Sequence, residues 1–276
     1  MNPHAAAPLS PRSLLKSVWN NWQLIIQMTQ REVIGRYRGS VMGLLWSLLN
    51  PLFMLAVYTF VFSVVFKARW GGSQDESRTQ FAVILFAGII VHSLFAEVLN
   101  RAPGLILGNA NYVKKVLFPL ETLPVISLGA ALFHCLVSVL VLISAQLLFS
   151  HEVVWTAIVL PIVLLPLAIL SLGLSWFLAS LGVYLRDVGQ TIGIITTVML
   201  FLSPVFFPVT SIPEHLRPMI MLNPLTFIIE QSREVLIWGH LPNWHGLALY
   251  TLAALVTAWI GYAWFQMTRR GFADVL

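Results

Sequence analysis

Side chains able to do chemistry are few in this chain and poorly spaced for it: eleven carboxylates, seven histidines and one cysteine in 276 residues. No Gly-x-x-x-x-Gly-Lys-Ser/Thr occurs, so the loop whose backbone N–H groups cradle nucleotide phosphates is absent. No His-Glu-x-x-His occurs either. His92 and His134 fall in apolar stretches without a second metal ligand at helical spacing, which favours structural histidines. Cys135 is alone, so an intramolecular disulfide or cysteine metal cluster is excluded and a small buried hydrophobe is expected. Glu97 is the one acid well inside an apolar stretch, where acids are functional candidates by default. Arg101 follows at i+4 near the stretch's end, which favours a snorkelling surface pair over a proton relay. Glu214, Glu230 and Glu234 share one later connection. Catalytic carboxylates would cluster at one interface, but helical surface charge explains these three as well.

The elements that must hold these groups are membrane helices. Hydrophobic residues make up 58% of the chain and charged residues 10%, against about 25% charge in an average soluble domain. A helical span needs about 20 apolar residues. Stretches of that kind run over Val41–Phe66, Phe81–Leu99, Val125–Leu148, Ala157–Tyr184, Val188–Phe207 and Leu247–Phe265. They are too long and continuous for the alternating strands of a barrel, and backbone in lipid must be satisfied within its own segment. The expected fold is an all-α integral membrane protein with six transmembrane helices. The polar, proline-punctuated start, Met1–Pro11, does not read as a cleavable signal. With both termini placed inside, 11 of the 16 Lys and Arg residues fall on the cytoplasmic side, as the positive-inside rule requires. The net charge of +5 then sits where anionic headgroups are expected and calls for no nucleic acid.

Before the first span, Ser10 and Pro11 read as the N-cap and first position of a helix. Its apolar stripe is Leu15, Val18, Trp19, Trp22, Ile25 and Ile26, with Lys16, Asn20, Asn21, Gln23 and Gln27 largely off it. That pattern suits a helix lying in the membrane interface, or a soluble helix packed on a partner. Asn50-Pro51 in the first span, and Pro161 and Pro166 in the fourth, predict either bends around a path or ordinary irregularity.

Two connections are too structured to be passive. Asn100–Glu121 carries Leu105-Ile106-Leu107, Asn109 to Lys115, and Val116-Leu117-Phe118-Pro119. Its apolar residues are expected to seek lipid or a docked protein, as a short helix stopped by Pro119 would in a partner's groove. Pro208–Trp244 alternates apolar residues with Glu214, Arg217, Glu230, Arg233 and Glu234 and is broken by prolines. Partly buried re-entrant helices fit it, as does an amphipathic lid on the bilayer surface. Arg186 and Asp187 form a short turn between the fourth and fifth spans, readable as a docking contact or a solvated turn. Trp46, Phe53 and Phe60 recur every seven residues and Tyr58 and Phe62 sit four apart. Such rings serve as packing or interfacial anchors, or line a sugar path.

The run from Arg31 to Leu52, with Arg36-Tyr37-Arg38-Gly39 and Asn50-Pro51, strongly resembles the approach to the first span in type-2 ABC transporter permeases that export bacterial polysaccharides. Asn111-Tyr-Val-Lys-Lys-Val-Leu-Phe-Pro119 resembles that family's coupling segment, and Tyr184-Leu-Arg-Asp187 its intracellular turn. Asn223-Pro-Leu-Thr226 with Arg233 resembles its outer re-entrant region, and Gly271-Phe-Ala-Asp274 its tail. The five motifs occur in order and cover nearly the whole chain.

The resemblance implies a homodimer in the bacterial inner membrane, two cytoplasmic ATP-binding subunits that use ATP and magnesium, and a lipid-linked polysaccharide cargo, most like O-antigen. It implies no catalysis and no cofactor bound by this chain. Carried over, Asn111, Tyr112, Val113, Lys114, Lys115, Phe118 and Pro119 would engage the ATPase, with Arg186 and Asp187 nearby. Tyr37, Trp46, Phe53 and Tyr58 would be channel-lining aromatics. The expected layout is a cytoplasmic N-terminus over 1–40, a six-span domain over 41–266 and a cytoplasmic tail over 267–276. An ion-coupled secondary transporter is the competing reading, and it would show internal repeats and midplane ionisable residues, of which only Glu97 is present. Capsule or teichoic acid are competing cargoes.

Overall fold

The computed structural model describes residues 9–66, 70, 78–115, 118–149 and 153–276. The polar N-terminal residues 1–8 and Val116-Leu117 of the expected coupling segment lie outside the described residues, as do the side chains of Lys114 and Lys115. Among the described residues all regular structure is helical. Two short helices, α1 (Pro11–Asn20) and α2 (Trp22–Arg36), precede the first span. Ser10 caps α1 through Ser13 N, with Pro11 at the first position, as the sequence predicts. The single expected helix is broken at Asn21, whose amide donates to Ser17 O at 2.8 Å and competes with the helix for that carbonyl. Leu15, Trp19, Trp22 and Ile26 stay exposed, while Leu14, Leu24, Ile25 and Met28 pack inward.

Five helical stretches are long and apolar enough to cross a membrane: Gly43–Phe62, Gln80–Gly104, Thr122–Phe149, Trp155–Tyr184 and Trp244–Val275. Within them lie α3 (Trp46–Tyr58), α4 (Arg78–Arg101), α5 (Ala110–Lys115, in the following connection), α6 (Thr122–Phe149) and α7 (Leu160–Tyr184). The expected fifth span, Val188–Phe207, is helical only over α8 (Val188–Leu202). Fifteen residues make about 22 Å at about 1.5 Å per residue, short of the hydrocarbon thickness, because Ser203-Pro204 ends the helix. Two short helices follow, α9 (Arg217–Met221) and α10 (Pro224–Arg233), then α11 (Trp244–Thr268) and α12 (Phe272–Val275). Pro161 sits in the first turn of α7 and kinks nothing, whereas Pro51 and Pro166 are interior.

The central helix is α4. Its span is 78% buried within the chain, against 6% for the span containing α3. Its Val83, Phe86, Ile90, Leu94 and Val98 form the spine of the main core with α6, α7 and α10. Helices α7 and α11 cross backbone to backbone: a Cβ on Gly173 would stand 2.6 Å from Ala258 Cα. Small residues at the crossing permit this approach where lipid supplies no hydrophobic drive for association. A second core lies at the end of the bundle that carries α1 and α12. There Leu105, Ile106, Phe118 and Leu120 are buried with Trp176, Tyr262, Phe265 and Phe272. The apolar residues of the 100–121 connection therefore find cover in this chain's own α7 and α11, not only in lipid or a partner.

Candidate functional site

The expected coupling segment leaves α4 through a tight turn at Ala102–Gly104 and a second at Leu107–Asn109, then forms the six-residue α5. Asn111 is exposed, and Tyr112 and Val113 are half-buried against the second core. Tyr112 stacks on Phe118 with ring centroids 4.5 Å apart and planes 12° apart. Phe118 is itself buried, so it props the segment from beneath. The Pro119 carbonyl accepts from Thr122 N at 2.9 Å and Thr122 Oγ1 at 2.7 Å, turning the chain into α6. Of the residues the resemblance assigns to docking, Asn111, Arg186 and Asp187 are the ones standing fully exposed with described side chains.

Arg186 and Asp187 occupy the α7–α8 turn, and the structure brings that turn to the same end as the coupling segment. Pro103 lies directly on Gly182, whose added Cβ would be 2.7 Å from both Pro103 C and Pro103 Cα. Tyr184 Oη donates to Thr268 O at 2.9 Å, tying the turn to the end of α11, and α12 packs beside α5.

Glu121 joins four pieces at this end. Its carboxylate accepts from Ser17 Oγ of α1 at 2.8 Å and from Arg269 Nη1 at 2.9 Å, and its carbonyl accepts from Trp176 Nε1 at 2.9 Å. In sequence Glu121 is only a loop boundary, since its partners lie 55 to 148 residues away.

A second ionic cluster lies where α2 meets α4 and α6. Glu97 Oε1 accepts from Arg36 Nη1 at 2.6 Å, and its Oε1 and Oε2 lie 2.9 and 3.1 Å from His134 Nδ1. A carboxylate only accepts, so Nδ1–H donates to Glu97, and Nε2 lies 3.3 Å from the Tyr37 hydroxyl. Arg101, at 3.7 Å from Glu97, is bound instead to Glu32 of α2. Burial pushes the Glu32 carboxyl up, against the pull of Arg101. The expected surface pair of Glu97 and Arg101 is thus a weaker contact within a network of Glu32, Arg36, Tyr37, Glu97, Arg101 and His134. Helices α2, α4 and α6 supply its members, and beyond the i,i+4 pair of Glu97 and Arg101 no local spacing reveals them. Beside the cluster, α3, α4 and α6 wall a groove of about 510 Å³, reaching from Phe86 to Arg101 along α4.

At the opposite end of α4 a third node forms. Arg233 is 1% exposed. Its guanidinium donates to Pro204 O at 2.6 Å, Val205 O at 3.0 Å and Ile84 O at 3.2 Å, and to Glu230 Oε1 at 2.9 Å. The Trp70 ring lies 4.3 Å below it. The Pro204 and Val205 carbonyls, just past the end of α8, are thereby satisfied, and Gly88 leaves the room: a Cβ there would be 2.9 Å from Arg233 Nη2. The resemblance singled out Arg233, but its burial was not legible.

The four aromatics assigned to a channel do not share one surface. Trp46 and Phe53 of α3, and Phe60 in the turn that follows it, are exposed by 39%, 58% and 60%. Tyr58 turns inward and is half-buried with Phe62 against the core. Tyr37 faces His134 in the groove. Among the described residues no cluster of three or more His, Cys, Asp and Glu is arranged to hold a metal.

A model of the family described as ABC-2 type transporter matches residues 23–237. The chain is 25% identical to the O-antigen export system permease protein RfbA of Myxococcus xanthus, over 95% of this chain and 98% of that one. It is 24% identical to the protein of the same name from Klebsiella pneumoniae, over 92% and 95%. The polysialic acid transport protein KpsM of Escherichia coli is 25% identical, over 86% and 90%.

Proposed function

Because the chain belongs to the ABC-2 type transporter family, we propose that it is the membrane permease subunit of an ATP-driven exporter of a lipid-linked polysaccharide of the O-antigen kind. Full-length similarity to two O-antigen export permeases is the observation that carries this reading. Similarity to a polysialic acid transporter makes capsule the second cargo. The chain has no phosphate-cradling loop of its own, so ATP and magnesium are used by separate subunits, two of them docking on a homodimer. The permease sits in the bacterial inner membrane with both termini cytoplasmic. The α8 segment and its extension to Phe207 count as the fifth of six spans. The proline-broken α9 and α10 dip into the bilayer from the outer face.

The geometry supports a mechanical route for the work. Asn111, Arg186 and Asp187 present the exposed rim that an ATPase meets, with Lys114 and Lys115 in the same helix. Displacement of α5 passes through the Ala102–Gly104 turn to α4, the most buried span, and through the Pro103–Gly182 contact to α7 and α8. Glu121 carries it to α1 and to the end of α11. A rigid core transmits such a push because it is close-packed. Trp46 and Phe53, on the open side of α3, are the rings placed to meet a sugar chain at a subunit interface.

The test is a strain lacking this chain, complemented by the wild type or by Asp187→Arg combined with Asn111→Asp. Expected outcomes are surface polysaccharide lost on deletion and restored by the wild type. The double variant should reach the membrane yet no longer co-purify a P-loop ATPase, and export should stop. Export that continues after deletion would overturn the assignment, and wild-type ATPase recovery with the double variant would overturn the docking rim.

A further inference from the structure

The groove between α3, α4 and α6 holds polar groups that its own protein leaves open. It is walled by Tyr37, Asn50, Ser93, Glu97, Asn100 and His134, with Ile89, Ile90 and Met54 as apolar surface between them. Its α4 wall from Phe86 to Arg101 covers fifteen helical steps, about 22 Å of helix, more than half the hydrocarbon thickness of about 30 Å. Asn50 and Ser93 are exposed into this space, and their side chains have no hydrogen-bond partner among the described residues. At membrane depth an amide and a hydroxyl without partners are costly, and backbone or side-chain polarity is kept there only where it lines a polar path.

The lining also indicates what it takes. Arg36 is paired with Glu97 and Arg101 with Glu32, so the charge of each guanidinium is already answered by a carboxylate, which favours a neutral ligand over a phosphate. What remains open is neutral, the Asn50 amide and the Ser93 hydroxyl, donors and acceptors together, beside an aliphatic wall. A pyranose presents that same combination, hydroxyls around its rim and C–H groups on its face. The groove's volume of about 510 Å³ falls in the range of about 300–1,000 Å³ typical of small-molecule sites.

We propose that this groove is a sugar-binding subsite contained within one subunit, which takes a hydroxyl-rich pyranose unit of the exported chain. It is separate from the exposed Trp46 and Phe53 face, and only Tyr37 is shared between the groove and the assigned aromatics. The Arg36, Tyr37, Glu97 and His134 network holds its floor to the interface helix α2, so occupancy of the groove is felt at α2. The proposal rests on the polysaccharide-export reading.

The experiment places the photo-crosslinking residue benzoylphenylalanine at Ser93, at Asn50 or at Leu136, the last exposed on α6 and absent from the groove lining. Each variant is expressed in exporting cells lacking the native gene, and only variants that restore surface polysaccharide are scored. Adducts are probed for carbohydrate by periodate oxidation and hydrazide labelling. Carbohydrate at Ser93 or Asn50 but not at Leu136 is expected. Cells that export while no groove position captures carbohydrate would overturn the subsite and leave the export reading standing, as would equal capture at Leu136. Undiminished surface polysaccharide in the deletion strain would instead remove the export reading and the subsite with it. As a second readout, Asn50→Leu, which touches none of the ion pairs, should slow export by about fivefold to tenfold, the loss of one or two neutral hydrogen bonds. An unchanged rate at equal permease level would count against the subsite.

Discussion

Gly182→Ala tests whether the proposed coupling segment is mechanically continuous with the spans. The added Cβ would stand 2.7 Å from Pro103 C and from Pro103 Cα, where carbon atoms in contact settle at about 3.5–4.0 Å. The two surfaces must separate by about 1 Å. Neither side yields easily, since Gly182 lies inside α7 and Pro103 has a fixed φ within a turn whose neighbour Ala102 is fully buried. Overpacking of this kind costs about 1–3 kcal/mol. Gly189→Ala is the matched control: it faces the same proline, but its Cβ would meet Pro103 Cβ at an ordinary 3.9 Å. It should be neutral, or slightly stabilising through helix propensity. The assay is fluorescence-detected size exclusion of detergent-solubilised protein after a heating series, run beside surface polysaccharide measurement in complemented cells. Gly182→Ala should lower the temperature of half-loss and reduce export, and Gly189→Ala should do neither. If Gly182→Ala behaves like wild type in both assays, the Pro103 contact does not carry force and the route through it is wrong.

Three further outcomes follow from the other nodes. Arg233→Gln strips donors from the Ile84, Pro204 and Val205 carbonyls and the cation from Glu230. Each buried carbonyl left without its donor costs about 1–3 kcal/mol, so little monodisperse protein should survive purification, and Arg233→Lys should recover only part because an ammonium cannot fork as a guanidinium does. A yield equal to wild type from Arg233→Gln would refute the node. Glu121→Gln weakens charge-assisted hydrogen bonds worth about 1.5–3 kcal/mol. In a double-mutant cycle with Arg269→Gln, heat resistance should show non-additivity, and strict additivity would mean that the 2.9 Å contact contributes nothing. A spin label at Leu15 should collide more with oxygen and one at Lys16 more with a water-soluble nickel reagent. Identical accessibilities at the two positions would remove α1 from the lipid interface.

Much of the helical outline was legible because its signals are local. Ser10-Pro11 starts a helix by capping chemistry that needs no distant partner, and it does so here. Five of the six apolar stretches appear as long helices because hydropathy over about 20 residues is a one-dimensional property. The fifth shows the limit: Val188–Phe207 has the composition of a span, yet Pro204 cuts its helix at Leu202. The carbonyls of the two residues past the break, Pro204 and Val205, are answered by an arginine 29 and 28 residues later. Glu97 was visible as an intramembrane acid, but its partners were not. Arg36 lies 61 residues before it and His134 37 residues after, and only the packing of α2 and α6 on α4 places them within a hydrogen bond. The burial of Phe118 beneath Tyr112 likewise depends on α7 and α11, which arrive later in the chain.

The amino-acid order alone therefore settled that this is a helical membrane protein without a nucleotide-cradling loop, since apolar run length and motif absence can be read residue by residue. Tertiary packing alone decided which polar groups meet, because a charge in lipid is tolerated only beside its partner and the partner is chosen by which helices touch. The Glu97, Glu121 and Arg233 nodes, and the open groove beside the first of them, exist only at that level.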